Sequence, residues 1–445
     1  MKPRYWIWVV LLILLAVPLL AAQRRYILRA APADVSGIAL RNGLTVVRQL
    51  GRRPIFLVAA PDDRSTSEVI QSVKSDPAVV GFELDGLASI PETSGFTLNP
   101  TTSGILDALT DPSLVTYFGS SVWSGYLNQP AAGIIRIADA QATYGGGGYG
   151  PIAVIDTGAD LTHPGLSSSL VAGYDFTRDQ AGASELLDLD PTTASILDQS
   201  SASMVNKTLT SVNGSTVALL DGSVSAILDT STMPRCFGHG TMVAGVVHRA
   251  CGNCKMMPLK AFTGTCAGDM FDILRAIYWA TDNGAKVIQM SFSTDTSSDE
   301  LLAAISYANS KSVISVGSAG NSGLQTVVYP AGYKKVSGVG SIDSSFLVRS
   351  LFSNWGNNLC SFAAPGEGIV TFYPYNNYAA GWGTSFSAPW ASGGAGLLLQ
   401  IDPYIKQDDC ATSLSQAYSL PGQGLGAGRI DLYRACQYWT LHKSK

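Results

Sequence analysis

The stretch Gly383-Thr-Ser-Phe-Ser-Ala-Pro-Trp-Ala391 places Ser385 directly before a run of small and apolar residues that extends to Leu399. Such a run predicts a buried helix with the serine at its N-terminal end. Backbone N–H groups at that end have no partner within the helix and carry partial positive charge. Negative charge that develops beside Ser385 would therefore be stabilised, which makes this serine a candidate nucleophile.

Two upstream segments supply what a serine nucleophile needs. Asp156 lies in Ala153-Val-Ile-Asp-Thr-Gly158, and His239 lies in Gly238-His-Gly-Thr-Met-Val-Ala-Gly245. A serine hydroxyl is a weak nucleophile until a base removes its proton, and imidazole, with an unperturbed pKa of about 6.5, suits that task at neutral pH. A carboxylate can hold the imidazole tautomer and stabilise the imidazolium. We predict Asp156, His239 and Ser385 as catalytic residues.

The composition favours a folded protein of more than one domain. The chain has 445 residues, of which 46% are hydrophobic and 14% are charged, so it can build a sizeable core. The net charge is −4, and no basic run extends beyond Gln23-Arg-Arg25. A nucleic-acid partner is therefore not expected.

The first 22 residues have the pattern of a secretion signal. Lys2 and Arg4 precede a nearly uninterrupted apolar run from 6 to 20, and Ala21-Ala22 offers small residues for cleavage. We predict a signal peptide at 1–22 and a secreted, extracellular protein. The alternative is an uncleaved membrane anchor, because the shortest spanning helices need roughly 17 residues. A membrane partner is expected only in that case.

The cysteines favour disulfides over metal ligation in an exported protein. There are seven, all in the C-terminal half: Cys236, Cys251, Cys254, Cys266, Cys360, Cys410 and Cys436. The odd number leaves at least one thiol unpaired within the chain. We expect Cys410 to pair with Cys436. Cys251-Gly-Asn-Cys254 is compatible with a redox motif or half of a zinc site, but a tight structural loop is the favoured interpretation.

The sequence pattern of residues 23–92 predicts a small α+β domain in which strands and a helix follow one another as β–α–β. Its elements are expected as strands at 26–29, 55–59 and 79–83 and a helix at 65–75. The residues that follow, 93–125, are rich in serine, threonine, glycine and proline and predict a linker.

Between 126 and 445, continuous apolar runs alternate with helical patterns. Strands are expected at 152–155, 286–291, 312–316 and 336–340, and helices at 239–248, 270–281 and 299–309. This alternation predicts an α/β fold with a mainly parallel sheet that is covered by helices on both faces. Sites in such sheets form at the carboxyl ends of the strands. Asp156, Ser291 and Asn321 all fall at or just beyond such ends.

Residues 177–235 interrupt the alternation between the Asp156 and His239 segments. Asn213-Gly214 stands between two β-prone runs, which is a strong signal for a hairpin. We therefore predict an inserted β-hairpin region at about 177–235. The pattern leaves open whether the insertion shapes specificity or only decorates the surface.

The ordered motifs resemble those of the subtilisin-like serine peptidases over about residues 130 to 434. The resemblance rests on four segments: Asp156-Thr-Gly158, His239-Gly-Thr-Met-Val-Ala-Gly245, Ala319-Gly-Asn-Ser322 and Gly383-Thr-Ser-Phe-Ser-Ala-Pro389. It implies the subtilisin-like fold and a serine endopeptidase that hydrolyses peptide bonds through an acyl-enzyme. It also implies that Asn321 donates its side-chain N–H to the oxyanion, with the backbone N–H of Ser385 as the second donor.

The resemblance further implies that two strand edges bind an extended substrate by strand addition. The residues concerned are Ala267 and Gly268 on one edge and Ser291, Phe292 and Ser293 on the other. The family usually has glycine where Ser293 stands, so the pocket for the residue before the scissile bond is expected to differ in shape. Phe292 is expected either in the wall of that pocket or in the core.

No cofactor or metal ligand is predicted. Many members of the family follow the helix of the catalytic histidine with a calcium-binding loop. Here that place is taken by Arg249-Ala-Cys-Gly-Asn-Cys-Lys255, which has no evident cage of carboxylates or amides. A structural calcium ion is therefore not supported by a recognisable loop.

In size, position and pattern, residues 23–92 resemble the inhibitory propeptides of this family. The resemblance implies an intramolecular inhibitor that assists folding and is cut away within the linker. The predicted protein is thus a self-maturing, secreted serine endopeptidase whose partners are protein or peptide substrates. One alternative is a processing protease of narrow specificity. The other is a catalytically inactive binding protein on the same fold, against which the complete triad and Asn321 argue.

Overall fold

The structure is a computed structural model that describes residues 24–61, 64–91, 111–192 and 234–443, together with the backbone of 96–97, 211–212 and 216–218. It divides into a compact unit that ends at Asp85 and a larger unit from Gly86 to Lys445. The predicted signal segment at 1–22 and most of the predicted linker lie outside the described residues. No helix within the described ranges is both long and apolar enough to cross a membrane.

The first unit is an antiparallel sheet with two helices. Its elements are β1 (Arg24–Ala30), α1 (Val35–Asn42), β2 (Thr45–Gln49), β3 (Ile55–Ala60), α2 (Thr66–Lys74) and β4 (Val79–Leu84). The strands lie in the order β2-β3-β1-β4. Helix α2 begins where the sequence predicts it, because the side chain of Ser65 accepts from the N–H of Glu68 and the Glu68 carboxylate accepts from the N–H of Ser65. Helix α1 and strand β2 have no counterpart among the predicted elements.

The second unit is built on an eight-stranded sheet. The strands are β9 (Pro151–Asp156), β10 (Tyr174–Asp175), β11 (Gln180–Ala181), β14 (Lys255–Lys260), β16 (Val287–Met290), β17 (Ile314–Ser318), β18 (Ser337–Ile342) and β19 (Phe362–Pro365). Their order is β11-β10-β14-β9-β16-β17-β18-β19, and every pair is parallel except β10 with β11. The mainly parallel sheet with helices on both faces is thereby confirmed. Strand β14, beside β9, is not among the predicted strands, because Pro258 and the terminal lysines Lys255 and Lys260 weaken its strand signal.

The remaining elements surround this sheet. The shorter strands are β5 (Leu87–Ser89), β6 (Phe96–Thr97), β7 (Leu114–Tyr117), β8 (Ser120–Trp123), β12 (Ser211–Val212), β13 (Thr216–Ala218), β15 (Ala267–Asp269), β20 (Ile369–Tyr373) and β21 (Asn377–Gly381). The helices are α3 (Ser124–Leu127), α4 (Pro130–Ile134), α5 (Ile137–Tyr144), α6 (His239–Ala250), α7 (Met270–Asp282), α8 (Asp299–Ser310), α9 (Thr384–Ile401), α10 (Gln407–Leu414) and α11 (Leu432–His442). Single 3₁₀ turns occupy Ser167–Ser169 and Glu185–Asp188.

Helix α9 is buried along nearly its whole length, as the run of small residues predicts. It packs closely against α6. A β-carbon added at Gly393 would lie 2.3 Å from the β-carbon of Ala250, so only glycine allows this approach. Because α6 begins at His239 and Ser385 is the second residue of α9, the close packing of the two helices brings these residues to one end of the core.

The inserted region departs from the expected hairpin. Strands β12 and β13 flank the predicted turn, but β12 pairs with β6 and β13 pairs with β21. Within the described backbone the two strands therefore do not pair with each other. Residues 213–215, the turn itself, lie outside the described residues. Strands of this length have little pairing energy of their own and adopt whichever partner the tertiary structure offers.

Four cysteines form two disulfides, Cys236–Cys266 and Cys251–Cys254. The expected pairing of Cys410 with Cys436 is wrong, because both are buried free thiols, as is Cys360. Cys251 and Cys254 are buried at the end of α6, which fits the interpretation of a tight structural loop. Spacing along the chain does not determine which thiols meet, whereas disulfide geometry depends on the separation and direction of their β-carbons.

Candidate active site

Asp156 and His239 meet at the carboxyl end of the sheet. Asp156 is the last residue of β9 and His239 the first of α6. The Nδ1 atom of His239 lies 2.7 Å from Oδ1 of Asp156, and both side chains are buried. The same Oδ1 accepts the backbone N–H of Thr157 at 2.8 Å. The carboxylate is thus held against the imidazole, which orients the ring and stabilises its protonated form.

The glycines beside His239 allow this approach. A β-carbon at Gly240 would lie 2.0 Å from the carbonyl oxygen of Gly158, so a larger residue would force α6 away from β9. Gly238 has a φ of +87°, which favours glycine. The N–H of Gly240 donates to the hydroxyl of Thr157 at 2.9 Å, which ties the start of α6 to the residue after Asp156.

Ser385 lies at the buried N-terminal turn of α9. Its hydroxyl donates to the carbonyl of Ser291 at 3.4 Å, and the hydroxyl of Ser291 donates to the carbonyl of Ser385 at 2.8 Å. The second bond has a reason in the sequence. Pro389 lies four residues further along the helix and has no N–H, so the carbonyl of Ser385 lacks its helical donor and is free to accept from Ser291.

The side chain of Asn321 is fixed in one orientation just beyond β17. Its Oδ1 accepts both the backbone N–H and the hydroxyl of Thr384, each at 2.9 Å. Its Nδ2 therefore faces away from Thr384 and donates to the carbonyl of Pro91 at 2.6 Å. Gly383 makes room for this amide, since a β-carbon there would lie 2.9 Å from Nδ2. An oriented donor of this kind suits an oxyanion.

A segment of the chain's own sequence lies between the two predicted substrate edges. On one side β5 pairs antiparallel with β15, with Ser89 opposite Ala267 and Ala88 opposite Gly268. On the other side Ser89 and Ser293 exchange two backbone hydrogen bonds at 2.9 and 3.0 Å. The N–H of Ile90 donates to the carbonyl of Cys266 at 3.0 Å. The segment from Leu87 to Pro91 thus adds a strand to both edges, the binding mode of an extended peptide.

The ring of Phe292 lies in the core rather than facing the bound segment. Phe292 is fully buried, and its ring centroid lies 4.9 Å from that of Phe262. Its backbone belongs to the edge that includes Ser291 and Ser293, while its side chain fills the interior. Of the two placements considered for this ring, the core is the one found.

Glu185 is a buried carboxylate that local sequence patterns do not signal. It accepts hydrogen bonds from the N–H groups of Gly238 and Thr241 at 3.1 Å each, from Thr157 Oγ1 at 2.8 Å, and from the hydroxyl of Thr241. It therefore joins the N-terminal turn of α6 to the residue beside Asp156. Burial raises the pKa of Glu185 to about 7, and hydrogen bonds from Thr241 and Thr157 oppose that rise.

Lys260 is hydrogen-bonded to the same region through Thr157, the residue after Asp156. Its ammonium is fully buried and donates to the carbonyls of Thr157 and Phe262 and to the carboxylate of Asp188, at 2.7, 2.9 and 2.7 Å. A buried ammonium needs such partners, because an unpaired charge in the interior is costly. Lys260, Thr384 and Glu185 are not among the site residues that the sequence predicts. Only Thr384, which stands in the Gly383–Ala391 stretch, carries a local signal that could have identified it.

The segment after α6 holds the disulfide Cys251–Cys254. The N–H of Asn253 donates to the carbonyl of Gly146 at 2.9 Å, and the Nε of Arg249 donates to the carbonyl of Leu127 at 2.9 Å. Within the described residues, no group of three or more histidine, cysteine, aspartate or glutamate side chains is arranged to hold a metal ion.

Comparison with known proteins identifies the family. The profile of Peptidase S8, the subtilase family, matches residues 151–425, which is more than half of the chain. The chain belongs to the subtilase family. The matched range contains Asp156, His239, Asn321 and Ser385.

Individual relatives agree with this assignment. The subtilase is 32% identical to the thermophilic serine proteinase of Bacillus sp. (strain AK1) over 298 residues, which are 64% of this chain and 61% of that protein. It is 33% identical to subtilisin DY of Bacillus licheniformis over 215 residues, which are 45% of this chain and 78% of that one. It is 27% identical to thermitase of Thermoactinomyces vulgaris over 299 residues, which are 64% and 88% of the two chains.

The fold is similar to that of fervidolysin from Fervidobacterium pennivorans, which is described as a keratinolytic enzyme related to subtilisin. The TM-score is 0.67 at 20% sequence identity, and the likeness covers 94% of this chain and 61% of the fervidolysin chain. At this identity the comparison concerns the fold alone. The subtilase thus spans about three fifths of the length of fervidolysin and of the Bacillus proteinase.

Proposed function

We propose that this subtilase is a secreted serine endopeptidase that hydrolyses protein and peptide substrates through an acyl-enzyme on Ser385. The observation that carries the proposal is the donation of Asn321 Nδ2 to the Pro91 carbonyl, in a segment that is paired with both substrate edges. A carbonyl in that position is polarised by an oriented donor at the N-terminal end of α9. This is the arrangement that acyl transfer requires.

The residues would act in the following order. His239 takes the proton of the Ser385 hydroxyl while Oγ bonds to the carbonyl carbon, and Asp156 stabilises the imidazolium that forms. Asn321 and the backbone N–H of Ser385 would donate to the oxyanion. His239 then gives its proton to the departing amine as the peptide bond breaks. A water molecule, deprotonated by His239, hydrolyses the ester and restores the hydroxyl.

We further propose that the N-terminal unit is a propeptide and that residues 87–91 hold its end in the cleft. The unit ends at Asp85, and the chain continues directly into β5. Maturation would then begin at the bond on the carboxyl side of Pro91, next to the predicted linker. Export is supported by the disulfides Cys236–Cys266 and Cys251–Cys254, since such bonds persist in oxidising compartments.

The first test compares the full chain with its Ser385→Ala variant on casein, with mass spectrometry of all products. The proposal expects the parent chain to lose its N-terminal unit and to cut casein, while the variant does neither. Maturation without casein hydrolysis would favour a processing protease of narrow specificity. Failure of the parent in both reactions would contradict the proposal and favour a binding protein on this fold.

A further inference from the structure

The segment in the cleft carries proline at the residue whose carbonyl meets Asn321. Ser89 and Ser293 exchange two backbone hydrogen bonds, so they form a hydrogen-bonded pair of antiparallel strands. In such a pairing every second residue faces the same neighbour. Pro91 is therefore the next residue to face this edge, and the register places it opposite Ser291. An N–H at position 91 would point at the carbonyl of Ser291.

Proline has no N–H, so the bound segment gives the Ser291 carbonyl no hydrogen bond. That carbonyl instead accepts the hydroxyl of Ser385 at 3.4 Å. Ser291 and Ser385 are both buried, which limits the access of bulk water to this carbonyl. The proline thus has one local consequence: the edge hydrogen bond that an N–H at position 91 would make is missing.

We infer that Pro91 makes this segment a slowly cleaved occupant of its own active site, and that the site disfavours proline directly before the bond that it cuts. The inference rests on the proposed function and adds its regulation and its substrate preference. The position of the bound segment favours cleavage, because Asn321 donates to the Pro91 carbonyl at 2.6 Å and the backbone hydrogen bonds of Ser89 and Ile90 hold the segment in register. The missing N–H at position 91 slows the reaction.

The reaction concerned is peptide hydrolysis. The Ser385 Oγ bonds to the carbonyl carbon of Pro91, the bond from that carbon to the nitrogen of residue 92 breaks, and the nitrogen receives the proton that Ser385 lost. His239 takes that proton first and then passes it on. A residue with an N–H at position 91 would add the missing hydrogen bond to the Ser291 carbonyl and so hold the segment more firmly in the position for attack.

Synthetic peptides test the substrate preference with the mature enzyme. Three peptides carry the sequence of residues 87 to 96, with proline, alanine or N-methylalanine at position 91. Alanine restores the N–H, whereas N-methylalanine lacks both the N–H and the ring. One buried hydrogen bond corresponds to about a tenfold change. We expect kcat/KM for the alanine peptide to exceed that for the other two by at least about tenfold, and the proline peptide to inhibit competitively.

The full chain tests the regulation. The parent, Pro91→Ala and the control Pro77→Ala are refolded by dilution from denaturant, and cleavage after position 91 is followed by intact mass. Pro77 lies in the first unit between α2 and β4, outside the segment 87–91. We expect Pro91→Ala to be cut about tenfold faster than the parent, and Pro77→Ala to be cut at the parental rate.

Several results would overturn the inference. A proline peptide that is cut as fast as the alanine peptide would mean that the site accepts proline there. An N-methylalanine peptide that is cut as fast as the alanine peptide would assign the effect to the ring rather than to the N–H. Equal rates for Pro91→Ala and the parent would remove the regulatory role. In each case, casein hydrolysis by the same preparation would leave the proposed function unaffected. A preparation that does not hydrolyse casein would contradict both the proposed function and the inference about Pro91.

Discussion

The buried carboxyl of Glu185 should make the free energy of unfolding depend on pH. Burial raises its pKa from an ordinary value of 4.5 to about 7. Between these values the folded protein keeps a proton that the unfolded chain releases. The free energy of unfolding therefore falls as the pH rises through this window, and Glu185 adds no further change below pH 4.5 or above pH 7. A shift of 2.5 pH units corresponds to about 3 kcal/mol.

The change to make is Glu185→Gln in the Ser385→Ala background, which prevents self-digestion. Glutamine does not titrate, so the variant lacks this fall in stability, although it loses one acceptor for the N–H groups of Gly238 and Thr241 at every pH. Relative to its parent, the variant should therefore gain up to about 3 kcal/mol between pH 4.5 and pH 7.5. Urea unfolding at half-unit steps of pH measures this difference directly.

Glu68→Gln is the matched control. Glu68 is exposed, and hydrogen bonds from Ser65 lower the pKa of its carboxyl. Both its folded and unfolded forms are ionised above pH 5, so no gain is expected there. A difference between Glu185→Gln and its parent that does not change with pH would refute the reasoning. A change of opposite sign would mean that the donors at the start of α6 stabilise the charged carboxylate more than burial destabilises it.

Three further predictions concern the supports of the site, with stability measured in the Ser385→Ala background. Gly383→Ala should lower kcat about a hundredfold or more, because φ at Gly383 is +144° and the new β-carbon would lie 2.9 Å from Asn321 Nδ2. The control Gly133→Ala should keep the parental kcat, since a β-carbon there meets open space. Equal kcat values for the two variants would contradict the role of the Asn321 amide. Lys260→Met should cost about 1–3 kcal/mol in urea unfolding, because the buried carbonyls of Thr157 and Phe262 lose their donor while Asp188 keeps its ion pair with Arg178. Lys255→Met at an exposed site should cost less than about 1 kcal/mol. Similar losses for the two variants would show that burial of the ammonium is unimportant. Replacing both Cys236 and Cys266 by serine should lower the free energy of unfolding by about 3–4 kcal/mol, since the bond closes a loop with a sequence separation of 30, and an unchanged urea midpoint under oxidising conditions would argue against that bond.

The Cys236–Cys266 bond also links two parts of the site. Cys236 lies just before Gly238 and His239, and Cys266 lies just before the substrate edge β15. The carbonyl of Cys266 accepts the N–H of Ile90. A single covalent bond therefore restrains both the start of α6 and the strand that pairs with the bound segment.

The sequence by itself determined the motifs, the family and the main elements of the sheet. The strands β9, β16, β17 and β18 and the helices α6, α7, α8 and α9 lie where runs of apolar residues and helical patterns predict them. Local patterns are sufficient here, because a buried parallel strand and a buried helix each need an apolar run of their own. The site residues Asp156, His239, Asn321 and Ser385 can also be predicted from local patterns, since each stands in a short segment rich in glycine or other small residues.

Only the tertiary structure decided which distant groups meet. Glu185 contacts the start of α6, Cys236 bonds to Cys266 rather than to another thiol, and β12 and β13 pair with β6 and β21 instead of with each other. The role inferred for Pro91 depends on the register between Ser89 and Ser293, which places Pro91 opposite Ser291. These contacts join residues far apart in the chain, and their energies depend on burial and on the partner's position, neither of which a local pattern encodes.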